Sequence, residues 1–185
     1  MQPKFSPKKL SCFLAKTRYS KRDSCNCCFR IITASMRYWL IKSEPSEYSL
    51  ADLAADGTEL WDGVRNYQAR NFLQQMEKGD RLFFYHSNTK PPGIVGLAAV
   101  TQTNLVDPSQ FDPESKYFDP KATPEKPRWY TVEVGYQETF AEIITLDQLK
   151  ASFTPEEFTV VRRGNRLSVM PVPETIAERL LAMVS

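Results

Sequence analysis

The chain has a single histidine, His86, and no cysteine beyond Cys28; its four cysteines, Cys12, Cys25, Cys27 and Cys28, all precede residue 36. The remainder therefore has no disulfide and no thiol nucleophile. "CNCC" lacks the two separated C-x₂₋₄-C pairs of a zinc site, so no metal is expected. Also missing are HExxH, a glycine-rich phosphate loop, the Rossmann glycine pattern and GxSxG. No cofactor is expected. No apolar run approaches the ~20 residues that span a bilayer, and the first 35 residues lack the continuous apolar stretch of a secretory signal. A membrane partner is not expected, and the expected location is cytoplasmic.

Charge is plentiful but unevenly spread. Residues 1–35 hold eight Lys and Arg against Asp23 alone, whereas the rest hold sixteen basic and twenty-one acidic residues, a balance of −5. Residues 1–35 read as a basic, disordered tail. They resemble a transit segment, which would redirect the protein to an organelle or the nucleus. Alternatively they lie ahead of the natural start, since Met36 opens "MRYWLIKSEP" as a start would. A basic arm touching nucleic acid is a third reading.

Residues 36–185 read as one α+β domain with a bent, largely antiparallel sheet. "YWLIK", "TELW", "LFFYH", "GIVGLAAVTQ", "YTVEVGY" and "RLSVM" are the expected strands. "SLADLAADG" has Ser49 and Asp52 at capping-box spacing and Gly57 as a stop. Ala69, Phe72, Leu73 and Met76 form one helical face ending before Gly79. Thr145 and Thr154 look like caps of two short helices, and "PETIAERLLAMV" like a terminal helix with Ile176, Leu180 and Val184 inward. Between Asn104 and Pro127, Asp-Pro occurs three times, so neither helix nor ladder is expected to run through. A loop of that length is usually functional or mobile.

Polar residues cluster at strand ends, where sheets build sites. Lys42, Ser43 and Glu44 end the first strand; Tyr85, His86 and Ser87 end another. "WDGVRN" crowds Trp61, Asp62, Arg65 and Asn66 at a helix entrance, where an indole face and an amide could receive something flat and polar. Trp61 as a plain core residue is the competing reading. Adjacent His86 and Ser87 point to opposite faces of a strand, which spoils a Ser–His dyad. Glu44, Asp62 and His86 remain as acid/base groups for a nucleotide or nucleic-acid hydrolase, the alternative function. A protein-interaction module using the proline-rich loop is the other alternative.

"YWLIKSEP", "WDGVRNYQARNFL", "FYHSN", "PGIVGLAAV", "YFDPK", "PRWYTVEV" and "RLSVMPV" together resemble the EVE domain family, in the order and spacing of its thymocyte nuclear protein group. The resemblance covers Arg37 to about Ser185. It implies a PUA-like, barrel-like sheet with flanking helices, related to the YTH readers of methylated adenine. It also implies a non-enzymatic reader of modified bases, chiefly modified cytosine in DNA, with modified RNA as the alternative. By motif, Trp39, Lys42, Ser43, Glu44, Trp61, Val64, Arg65 and Asn66 would build the pocket, closed by Tyr85, His86, Ser87, Pro92 and Gly93. Trp129 or Tyr85 would be the second cage aromatic. A modified base in a duplex would be flipped into such a pocket. The −5 balance opposes a polyanion, so local groups would meet phosphates, with Lys42, Arg65 and Arg70 the nearest candidates.

Overall fold

The structure is a computed structural model that describes residues 36–184. Expectations about the first 35 residues lie outside the described residues. Six strands form one mixed sheet: β1 (Tyr38–Ser43), β2 (Thr58–Leu60), β3 (Arg81–His86), β4 (Gly93–Val106), β5 (Tyr130–Thr145) and β6 (Val169–Val172). Their order is β2-β5-β4-β3-β1-β6. Only β1 and β3 run parallel; every other neighbouring pair is antiparallel. Pro171 lies in edge strand β6, where its missing N–H costs no ladder bond.

The alternation of side chains gives the sheet two apolar faces. Leu40, Phe83 and Tyr85 pack on one, with residues of α3 (Leu146–Ser152) and α4 (Glu174–Ala182). Trp39, Ile41, Leu82 and Phe84 pack on the other, with residues of α1 (Leu50–Asp56) and α2 (Tyr67–Leu73). Burying both faces of central strands explains why "YWLI" and "LFFY" are nearly continuous apolar runs rather than alternating ones.

Among the described residues the sheet is bent but not closed, with β2 and β6 at its edges, so "barrel-like" describes only its curvature. Four register shifts along the β4–β5 pairing supply that curvature, because each bulge adds local twist. The expected strands at residues 93–102 and 130–136 are the first parts of these two long strands, which run on to Val106 and Thr145.

The capping box of α1 forms as spaced, with Ser49 and Asp52 bonded reciprocally and Gly57 at φ +80 beyond the last turn. Thr145 caps α3 with Gln148 in the same way. At Thr154 the box bonds also form, to Glu157, but they close a single turn, followed by the 3-10 turn Thr159–Val161 and not by an α-helix. α2 stops at Leu73, one turn short of the apolar face that extends to Met76. Among the described residues no helix is long and apolar enough to cross a membrane.

Candidate functional site at the end of the first strand

Strands β1 and β3 are parallel and in register to their last residues, Ser43 opposite His86. Their polar ends therefore meet at one place. Ser87 donates both its backbone N–H and its hydroxyl to the Ser43 carbonyl. The Ser43 hydroxyl donates to the Tyr48 carbonyl at 2.6 Å, fixing the turn into α1. His86 accepts the Leu50 N–H on Nε2 at 3.2 Å, so it holds the first residue of α1 as a neutral imidazole. Burial lowers its pKa, against the opposing charge of Asp52.

Beside these ends opens a cavity of about 490 Å³. Its walls come from Lys42, Ser43 and Glu44 of the first strand and its exit, Leu60 to Arg65 of the helix entrance, Lys116 and Tyr117 of the long loop, and Ser168. The ends of β1 and β2 are separated in the sheet by three strands. The curl from the β4–β5 bulges is what brings them to one cavity.

The crowded "WDGVRN" entrance is explained by this geometry. Trp61 donates its backbone N–H to the Val132 carbonyl and accepts the Thr131 hydroxyl on its own carbonyl, so it continues the β2 ladder. Gly63 turns at φ +74 with the Tyr117 ring against it; an added Cβ would lie 2.5 Å from Cε2 of that ring. Asn66 is the N-cap of α2, its Oδ1 accepting from Gln68 and Ala69. Arg65 reaches across to the long loop, donating to the Tyr117 carbonyl (2.6 Å), the Asp107 carboxylate (2.7 Å) and Ser109 Oγ (2.9 Å). Its guanidinium lies between the Tyr117 and Trp129 rings, at 5.5 and 5.2 Å from their centroids.

The long loop is pinned rather than loose. Gln110 is fully buried and makes four bonds: its Nε2 donates to the Asp107 and Trp129 carbonyls, and its Oε1 accepts from Arg128 and Trp129 N–H. Trp129 donates its indole N–H to Asp119 at 2.7 Å and stacks on Tyr67 at 4.9 Å.

The three tryptophans differ in one respect. The indole N–H of Trp39 goes to buried Asp80 at 2.8 Å and that of Trp129 to Asp119, whereas that of Trp61 has no acceptor among the described residues. Trp61 is 8% exposed, its ring edge-on to Phe84 at 5.5 Å. It is a member of the core that presents a remaining edge to the cavity.

Charges line both sides. Lys42 lies 5.7 Å from the Tyr85 ring and 3.4 Å from the Asn165 carbonyl, and burial lowers its pKa. Burial and the Asp107 carboxylate push Asp62 up, while Arg65 and Lys116 oppose the rise. Lys116 and Glu47 form a 2.7 Å ion pair from the long loop to the segment before α1.

Of the residues expected at the pocket, Lys42, Ser43, Glu44, Trp61, Val64 and Arg65 line this cavity. Trp39 lies against a separate, more apolar cavity of about 550 Å³ with Phe72 and Met170. Tyr85 is buried in the core, and Asn66, His86 and Ser87 are spent on the bonds described above. The Pro92 carbonyl accepts from Leu146, and Gly93 pairs with Thr145. Trp129, the expected second aromatic, is outside the lining; Tyr117 and Tyr48 are the additional aromatics in it. The signal for Tyr117 was its place in "YFDPK", an aromatic pair inside an otherwise polar, proline-rich loop.

A bent mixed sheet with flanking helices and a polar-mouthed cavity at its strand ends defines the PUA-like class. The EVE domain model matches residues 37–183, and the chain belongs to the EVE domain family. Mouse thymocyte nuclear protein 1 is 37% identical over 164 residues, covering 79% of this chain and 73% of the mouse protein. A crystal structure of a Pseudomonas syringae protein aligns with TM-score 0.76 and 46% identity over 80% of this chain and 99% of the other. The human THYN1 protein, solved in complex with DNA containing 5-methylcytosine, aligns with TM-score 0.74 and 35% identity over 80% and 98% of the two chains.

Proposed function

We propose that the protein reads modified bases without altering them, taking a modified cytosine of DNA into the cavity beside Trp61. The observation that carries this reading is the Trp61 indole edge, the one tryptophan N–H of the described residues left free, set in a cavity wall with Leu60 and Val64. Family membership and the methylcytosine-DNA complex of the human relative support the same ligand class.

The physical chemistry is that of a flipped base. An N–H donor answers a ring nitrogen or carbonyl of the base edge, and apolar wall surface receives the modification. Stacking of a base on an aromatic face is worth about 1–3 kcal/mol, while a buried methyl adds about 0.8 kcal/mol. Trp61 offers its edge, so Tyr48 and Tyr117 of the lining are the rings on which a base would stack, and the methyl sets the preference.

The placement of two of the three acid/base candidates, Glu44 and His86, supports binding without chemistry, whereas Asp62 lines the cavity with no hydrogen-bond partner for its carboxylate among the described residues. His86 accepts from Leu50, Ser87 donates to Ser43, and Glu44 accepts from Asn88 at 2.9 Å. Each is engaged in holding the strand ends. Incubation with methylated and plain oligonucleotides, followed by mass measurement, should return intact strands and bases. Product that disappears in Glu44→Gln or Asp62→Asn would replace this reading with the hydrolase.

A further inference from the structure

The loop from Arg162 to Ser168 stands out because it clusters three exposed arginines, Arg162, Arg163 and Arg166, whose guanidinium groups are unspent. Arg37, Arg65, Arg70, Arg128 and Arg179 each engage an acid, an amide, a hydroxyl or a carbonyl. Arg65 and Arg70, expected as phosphate contacts, are thus largely occupied. Arg162, Arg163 and Arg166 are exposed, and none has an ion-pair or hydrogen-bond partner for its guanidinium among the described residues. No acidic residue occurs from Phe158 through Pro173.

This loop is held firmly to the candidate site. Asn165 donates its amide to the Thr159 carbonyl at 2.6 Å and accepts the Leu167 N–H at 3.0 Å, with Gly164 at φ +77 making the turn. The Asn165 carbonyl receives Lys42 Nζ, the Ser168 carbonyl receives the Lys42 backbone N–H at 2.8 Å, and Ser168 lines the cavity. The arginines are therefore carried on a fixed segment that ends in the cavity wall.

We propose that Arg162, Arg163 and Arg166 form the phosphate-binding rim of the site, gripping the DNA backbone beside the base that enters the cavity. The proposal rests on the reader function argued above. Guanidinium forks match phosphate oxygens bidentately and are weakly hydrated, so free arginines suit this role better than lysines. A domain with a balance of −5 also needs a local positive patch to approach a polyanion. Phosphate contacts carry no sequence information, so the rim sets affinity and the cavity sets preference.

The test compares the full chain with Arg162→Gln/Arg163→Gln/Arg166→Gln, titrating a duplex with one 5-methylcytosine and the same duplex unmodified across a range of salt. A control, Lys78→Gln/Lys90→Gln/Lys150→Gln, removes the same charge elsewhere. Each lost phosphate contact should make the log–log salt slope shallower by about 0.9, so the arginine variant should lose roughly 2–3 units of slope. Its affinity at 0.1 M salt should fall roughly eightfold per contact for both duplexes alike, leaving their ratio unchanged. The control should keep the wild-type slope, and melting temperatures should match because all six side chains are exposed. A slope unchanged in the arginine variant, or one reduced equally in the control, overturns the rim. Equal wild-type binding of the two duplexes overturns the reader function instead, whatever the slopes do. Failure of wild type to bind either duplex overturns both.

Discussion

Trp61 combines two roles that the sequence set against each other. Its ring packs in the core, so Trp61→Ala should destabilise the fold by about 3–5 kcal/mol, as for other buried large-to-small changes. Trp61→Phe keeps most of the apolar contact and removes only the N–H. It should melt close to wild type while binding methylated DNA about three- to tenfold more weakly, the size of one hydrogen bond. Unchanged binding in Trp61→Phe would remove the indole N–H from recognition. Gly63 is constrained from two directions, its positive φ and the Tyr117 ring. Gly63→Ala should cost more than the ~1–2 kcal/mol of left-handed strain alone, and Tyr117→Ala should relieve the excess. A double-mutant cycle in denaturant would show this as coupling; strict additivity would mean that the ring simply moves aside. His86 gives a pH signature. Its folded pKa lies below the ordinary 6.5, so the unfolded chain binds the proton more readily. Its contribution to stability is whole above pH 6.5 and declines as pH falls below that value. Thermal melts between pH 7.5 and 5 should show this decline for wild type and a flatter profile for His86→Gln, which keeps an acceptor without titrating.

At the scale of elements, what could be read in advance followed the strength of the local signal. The capping boxes at Ser49 and Thr145 work through side chains three residues apart, so spacing alone locates those helix starts. The same spacing at Thr154 yields only a turn, since the following Phe158, Val160 and Val161 are drawn into the core and no helical period continues. The bulged extensions of β4 and β5 were not legible because their pairing joins residues far apart in the chain. The 107–128 segment shows this most clearly: prolines leave it no ladder and no helix beyond the 3-10 turn Pro108–Gln110, and its order comes from Gln110, Arg65 and Asp119 bonding across the chain. Gln110→Ala would leave the Asp107 carbonyl and the Arg128 and Trp129 N–H groups without partners, while the Trp129 carbonyl keeps the Asp107 N–H. Hydrogen exchange in residues 107–129 should accelerate, and methylated-DNA binding should weaken because Lys116 and Tyr117 are no longer held at the cavity. Exchange confined to wild-type rates would show that Arg65 and Asp119 suffice to hold the loop.

Across the whole molecule, the bent sheet is the device that makes a site from unremarkable parts. Two buried faces give it a core on each side, and the β4–β5 bulges turn its β2 end toward the end of β1. The EVE domain family shares this fold, and the cavity at the junction is where the chain's otherwise scattered strand-end residues converge. Six of the fourteen expected pocket residues line it, while Asn66, His86 and Ser87 hold the helix cap and strand ends that shape it. The most direct measurement is the affinity of the full chain for two duplexes that differ only in one cytosine methyl group. Burial of that methyl against the cavity wall is worth about 0.8 kcal/mol, so the methylated duplex should bind about fourfold or more tightly, with both recovered intact. Equal affinity for the two duplexes would contradict the account.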